Sequence, residues 1–498
     1  MCDIKVIKGV FVTLLMMVVV SAKAQENDEQ LLRNWIKVIA ADEFGGRKPM
    51  TPYEEKTVKY LAQQLETLGL EPAFDGSWYQ PFDMIAVTAK PQGNKLSAKG
   101  KQKAELRYPD DVMVWTARAT DKVVIPKAEY VFVGFGIHAP EYGWDDYKDI
   151  DVKGKIVIAM VNDPGYYDAT LFRGRNMTYY GRWIYKFEEA RRQGAAGCLV
   201  LHNTEAASYG WHVCVNGHLE NNLALYNPDT RNADELGIKG WLHEVGARKL
   251  FAAAGMDMEK ALAEAKKPGF KSFSLRVKGD VRMGVSYHIE QTRNVGGIVR
   301  GTDRPDEVVV MNAHWDHLGI GKPDAQGDSI YNGAADNASG MAAALLVACL
   351  NFESIGPSEY TQDVTILGGG ESDLDDYYVA AAAAQGRGIV FDDDNSDGWF
   401  FRSDHYNFVK KGVRAIVVEN DVKPEWYHKP SDEYRDDWDL SGTLANTNMM
   451  FSVCLSLASA DSSAACGASA VSGSSAPDSP SARSSRSAAR RDPSQPQH

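Results

Sequence analysis

Cysteine is scarce in this chain. There are six in 498 residues and no C-x-x-C pair, which excludes a thiolate-bound zinc ribbon or finger. Cys2 and Cys466 fall at the two ends. Of the four others, Cys198 and Cys214 lie nearest in sequence, a pairing that sequence alone neither requires nor excludes. Positive charge is also in deficit. Lys and Arg number 54 against 67 Asp and Glu, for a net charge of -13. Without a clustered basic surface, nucleic acid is excluded as the expected partner. An acidic balance of this size is what solubility asks for. Beyond the first 25 residues no apolar run is long enough to span a membrane, which takes about 20 residues. The triplet Gly368-Gly369-Gly370 lacks the Lys-Ser/Thr that a phosphate-cradling loop requires.

What is present starts with export. "MCDIKVIKGVFVTLLMMVVVSAKAQ" has a charged start (Lys5, Lys8), an apolar stretch from Gly9 to Val20, and small residues at Ala22 and Ala24. That is the layout of a secretory signal over residues 1–24, so the product is expected to be periplasmic or secreted, with no membrane attachment once the signal is removed. Residues 25–125 open with two helical patterns, "ENDEQLLRNWIKVIAADEF" and "TPYEEKTVKYLAQQLETLGL". In the second, Thr51 with Glu54 forms a capping box and Gly69 a stop. Residues 126–275 read as a β-rich insert, with strand-like "AEYVFVGFGI" and "GKIVIAMV" and a helix-to-strand passage "WIYKFEEARRQGAAGCLVLHN". Residues 276–460 alternate strands and helices, an α/β pattern. Residues 461–498 hold 12 Ser and 8 Ala and no aromatic residue. Such a tail cannot bury enough apolar surface to offset its ordering entropy.

The chemistry gathers in the α/β part. On the expected strand "EVVVMNAHWD", residues two apart share a face, so His314 and Asp316 point together from its C-terminal end. Ligands collect at that end of open α/β sheets. Histidine is the commonest metal ligand, and a nearby carboxylate fixes its tautomer. Asp336, in "YNGAADNASG", stands at the start of a helix, where it is either a ligand or a cap. Further on, "WYHKPSDEY" sets Tyr427 beside His428, a hydroxyl donor next to a ligand.

Together "AHWDHLG", "NGAADNASG", "FRSDHYNFVKKGVRAIVVEND" and "WYHKPSDEY" resemble the co-catalytic zinc aminopeptidases of clan MH. That family includes bacterial leucyl aminopeptidases and glutamate carboxypeptidases. The stretches "YVFVGFGIHAPEYGWDDYKDIDVKGKIVIAMVNDPG" and "FEEARRQGAAGCLVLHN" resemble a protease-associated (PA) domain. The resemblance implies an α/β fold: a three-layer zinc-exopeptidase catalytic domain with an inserted β-rich PA domain. It implies two Zn2+ ions, a peptide substrate and the removal of N-terminal residues. His314 would bind one zinc and His428 the other, with Asp336 bridging. Asp316 would orient His314, Tyr427 would hold the tetrahedral intermediate, and Ser403, Asp404 and His405 would support the site.

The chain departs from this family at one place. Relatives carry an adjacent Glu-Glu pair (general base and ligand) and a further ligand Asp on a strand-helix-strand unit after the "DNASG" helix. No Glu-Glu pair occurs between Ala335 and His428, and only a short polar stretch near 351–362 separates "LLVACLNF" from "DVTILGGG". A strand-helix-strand unit takes about 30 residues, so that block is missing. Glu371, after "DVTILGGG", is the candidate substitute base, with Asp373 nearby. The alternatives are a catalytically impaired relative that binds peptides, or a truncated product without function. Glutaminyl cyclase, which shares the fold, fits the Tyr427–His428 loop and the insert less well.

Overall fold

The computed structural model describes residues 28–91, 95–219, 221–303, 308–347, 356–367, 373–392, 397–418 and 426–459. The signal, the Ser/Ala-rich tail, Glu371 and the start of the 351–362 stretch lie outside them.

The helices that matter below are α1 (28–39), α2 (Pro52–Thr67), α3 (Trp183–Arg192), α4 (Glu244–Ala254), α5 (Ser339–Val347), α6 (Leu374–Ala384) and α7 (Ser441–Ser459). The strands are β1 (Tyr79–Pro91), β2 (Val112–Trp115), β3 (Lys122–Phe132), β4 (Ile156–Met160), β5 (Gly197–Leu201), β6 (Asn222–Leu225), β7 (Ile238–Leu242), β8 (Phe273–Val295), β9 (Asp363–Leu367), β10 (Gly388–Asp392) and β11 (Val417–Val418).

A ten-stranded sheet dominates, with the order β6-β1-β8-β3-β4-β5-β7-β2 and a hairpin of Lys95–Lys99 and Lys103–Arg107 attached to β8. Its inner strands β4 and β5 are parallel and buried on both faces, as expected for strands covered by helices. Ile156, Ile158 and Leu199 point into one core, and Val157, Ala159 and Val200 into another. Strand β8 alternates buried Leu275, Val277, Val281 and Met283 with exposed residues, the period of a half-covered strand. The sheet is wider than the 126–275 segment. Strands β1 and β2 precede that segment and β8 runs past it to Val295. Cys198 and Cys214 are both buried and both free, so the candidate bridge between them does not form.

A second core joins α1, α5, α6, α7 and a small sheet. In that sheet β9 lies between parallel β10 and antiparallel β11. Helix α5 buries Met341, Ala342 and Ala343, so it is apolar on every side, as a helix inside a core must be.

Two local expectations are corrected. Residues 308–317 form no strand. No described strand offers them a hydrogen-bonding ladder, and Val308 and Val310 are exposed at 68% and 49%. Thr51 does not cap α2 with its side chain. Its hydroxyl donates to the Lys48 carbonyl, and Glu54 reaches back one residue further, to the Met50 N–H at 2.8 Å. The stop at Gly69 holds, with φ +84°.

Candidate active site

The turn before α5 sets the centre. Gly333 has φ +60°, and a Cβ there would fall 2.2 Å from the Asp336 carbonyl oxygen and 2.6 Å from the His317 ring. Only glycine fits that approach. Ala334–Ala338 then wind as a wide π-type turn, with Asp336 outside helical dihedrals. Asp432, fully buried, holds this turn from the far side. Its carboxylate accepts from the Ala335 N–H at 2.8 Å and the Asp336 N–H at 3.0 Å. Burial pushes the Asp432 carboxyl up to about 6 against those hydrogen bonds.

Asp336 is where three histidines converge. His314 Nε2 lies 3.2 Å from one carboxylate oxygen, and His428 Nε2 lies 3.4 Å from the other. His317 Nδ1 stands 3.8 Å from that second oxygen. Burial alone would raise the Asp336 carboxyl, but the three imidazoles hold it well below the carboxylate range. Burial also works against a charge on His314. The hydrogen bond to Asp336 and the charges of Asp336, Asp316 and Asp404 outweigh it and hold that imidazole well above the histidine range. Burial, with Arg47, His428 and His314 adding to it, outweighs the field of Asp336 and pushes the His317 imidazole down to about 3.

The remaining sequence candidates fall around this centre. Asp316 is exposed. Its backbone oxygen takes the closer contact with His314 Nδ1, at 2.9 Å, while its carboxylate is at 3.7 Å. Tyr427 stacks on His428, with ring centroids 4.0 Å apart. His428 is held at φ +56°, a conformation uncommon outside glycine and found where function fixes the backbone. Asp404 lies within electrostatic reach of His314. Burial raises its carboxyl, with Asp316 and Asp336 adding to that effect. His405 is fully buried against Phe400. Asp373 is bound to Arg414, both its oxygens at 2.7 Å, and stands on the surface.

Three residues escaped sequence reasoning. Arg47 lies buried under the turn and donates to the carbonyls of Ile39, Trp315, Asn332 and Gly333. Burial lowers its guanidinium to about 10 against the pull of Asp336, Asp432 and Asp316. It belongs to no motif, because its partners are carbonyls. His317 and Asp432 sit inside the quoted motifs "AHWDHLG" and "WYHKPSDEY", and their proximity to the ligands was the available signal.

The residues can be tested against zinc. Tetrahedral zinc about 2.0–2.2 Å from nitrogen and oxygen donors holds those donors roughly 3.3–3.5 Å apart. The His314–Asp336 and His428–Asp336 separations match that edge. The kinds of donor and their spacing therefore fit two ions sharing Asp336. The number is smaller than usual: among the described residues no group of three or more His, Cys, Asp or Glu is placed to hold one ion.

Comparison with known proteins defines the class. The profile of peptidase family M28 matches residues 294–350 and 346–452, the part of the chain that holds every residue of this centre except Arg47. That part of the chain therefore matches the hydrolases of peptidase family M28. No curated protein matches. Among solved structures, an aminopeptidase from Aneurinibacillus sp. strain AM-1 is similar at 19% identity and a TM-score of 0.48, covering 86% of this chain and 93% of that one. BSAP, a zinc aminopeptidase from Bacillus subtilis, is similar at 13% identity and a TM-score of 0.42, covering 86% and 94%. A peptidase M28 precursor from Shewanella amazonensis SB2B is similar at 14% identity and a TM-score of 0.40, covering 88% and 97%.

Proposed function

We propose that the chain is an exported, zinc-dependent exopeptidase that removes N-terminal residues from peptides. The observation that carries this reading is one buried carboxylate, Asp336, with a histidine Nε2 at ligand-edge distance from each oxygen. His314 would hold one zinc and His428 the other, and zinc would supply Lewis acidity at the scissile carbonyl. The chain's own residues do the rest. The Asp316 backbone oxygen takes the Nδ1 proton of His314, which leaves Nε2 as the ligating atom. Tyr427, aligned by its stack on His428, donates its hydroxyl to the developing negative charge. Residues 1–24 support export to the periplasm or beyond.

The same reading includes a loss. One strand-helix-strand unit near 351–362 is absent, and with it the Glu-Glu pair and a ligand Asp. In support, the family match breaks into two pieces that meet at 346–350. Glu371 is the candidate replacement base. A second reading, peptide binding without turnover, is favoured by the donor count, since a catalytic zinc takes three protein ligands and each edge here offers two.

Zinc bound per mature chain after exhaustive dialysis, together with hydrolysis of a leucyl-anilide, separates the two. About two zinc per chain, with turnover lost in Glu371→Gln, is the expected result. No zinc and no turnover, with peptide binding that survives a chelator, would establish the second reading.

A further inference from the structure

Among the described residues, the other buried arginines, Arg47 and Arg387, have evident counterparts. Arg47 has four carbonyls and three aspartates around it. Arg387 donates to Thr361, Gln385 and Asn446. Arg182 differs. It is 8% exposed, its Nε is buried without a hydrogen-bond partner, and a Cβ on Gly398 would lie 3.5 Å from its Cδ. The groups acting on its charge are a second cation, Arg402, and the phenols of Tyr209, Tyr427 and Tyr179. Burial and Arg402 together lower its guanidinium to about 10.

Arg402 completes the arrangement. Its guanidinium carbon lies 4.4 Å from the Trp399 ring centre and 5.5 Å from that of Tyr209. Trp399 meets Tyr427 edge-on at 6.0 Å, and Tyr427 stacks on His428. Arg402, in the 397–410 loop, thus reaches the Tyr427–His428 pair through Trp399, and Arg182, from the start of α3 in the large-sheet part, lies within electrostatic reach of both Arg402 and Tyr427. Of the two acidic residues of that loop, Asp397 accepts a hydrogen bond from Ser208 at 2.5 Å and Asp404 lies within electrostatic reach of His314. A buried cation beside a like charge is costly unless an anion joins them. The aromatic floor supplies stacking and leaves the guanidinium edges for a planar, bidentate acceptor.

We propose that Arg182 and Arg402 form a carboxylate-recognition subsite, so that this site selects peptides presenting a carboxylate next to the bond held at His428. The carboxylate comes either from an acidic side chain on the first residue or from the free C-terminus of a very short peptide. The subsite rests on the peptide-binding reading above and requires no turnover.

The test is calorimetric titration of the full mature chain, with chelator present, using Glu-Ala-amide, Gln-Ala-amide, Ala-Ala and Ala-Ala-amide. A charged, bidentate contact predicts at least about tenfold tighter binding of a carboxylate probe than of its amide match. A Glu-over-Gln preference identifies the side-chain carboxylate, and an Ala-Ala preference over its amide identifies the C-terminal one. Arg402→Met should remove the preference and leave binding of the amide probes unchanged. Arg182→Met should do the same where it folds. Equal binding of both pairs, or a preference that survives Arg402→Met, overturns the subsite. Carboxylate preference without anilide turnover would sink only the peptidase reading, and turnover without preference only the subsite.

Discussion

Replacing Arg47 by Met keeps much of the side-chain volume and removes the charge and all four donors. The four carbonyls it serves belong to three separate segments, at Ile39, at Trp315, and at Asn332 and Gly333. Each buried acceptor left without a donor costs about 1–3 kcal/mol, and these costs do not add in full. The substitution also strips the cation from beside Asp336 and Asp432, and breaking a buried charge arrangement costs about 3–5 kcal/mol. The lower end of that range already predicts a loss of about 3 kcal/mol in the core around α5, or more than a hundredfold in amide protection. Hydrogen exchange resolved by segment tests this, because the large sheet has its own cores and serves as an internal control. Protection over 330–347 should collapse while protection over 156–160 and 197–201 persists. A change under about tenfold at 330–347 would refute the claim that Arg47 ties the turn to the rest of the site.

Other consequences follow from particular residues. Gly333→Ala should destabilise the same core by several kcal/mol, because the new Cβ meets the Asp336 backbone at 2.2 Å in a left-handed conformation. Thermal unfolding that matches the parent would contradict that geometry. His218 stacks on Trp115 at 3.7 Å and pairs with Asn222, and burial lowers its imidazole to about 4. The unfolded chain therefore binds the extra proton between about pH 6.5 and 4, and stability must fall as pH drops through that window, by up to roughly 3 kcal/mol. His218→Phe should flatten that part of the urea-midpoint profile, and parallel profiles would refute the assignment. Cys198 and Cys214 should resist alkylation in the native chain and both react after denaturation. A native disulfide would leave both unmodified in denaturant without reductant.

Much of this centre was legible because its ligand types recur at short spacings. His314, Asp336 and Tyr427-His428 each stand in a recognisable local string, and the structure brings His314 Nε2 and His428 Nε2 within 3.4 Å of the Asp336 carboxylate. What holds them was not legible. Arg47 acts through carbonyls, which every residue possesses. Asp432 serves the turn through backbone N–H groups, 96 and 97 positions away. Neither kind of contact leaves a periodic or compositional trace. The extent of the large sheet was not legible either. Strand β8 carries one alternating pattern over 23 residues, and a boundary drawn at 275 cuts through a strand that runs on to pair with β1 as far as Val295.

The stretch "EVVVMNAHWD" was read as a strand because its sequence is that of one, and its failure to form one bears on the proposed loss near 351–362. Three consecutive valines are strongly suited to a pleated ladder. A ladder needs a neighbour, and a missing strand-helix-strand unit would take neighbours away. The cost appears on the surface, where Val308 and Val310 are exposed at 68% and 49%. Bare apolar stretches with strand propensity are the usual seeds of self-association. Val308→Lys with Val310→Lys should therefore lower concentration-dependent light scattering and dye binding, and change unfolding stability by less than about 0.5 kcal/mol, as surface substitutions do. A loss of more than about 2 kcal/mol would show that both valines are packed in a core. In that case the chain has found a partner for this stretch, and the argument that a block is missing loses its structural support.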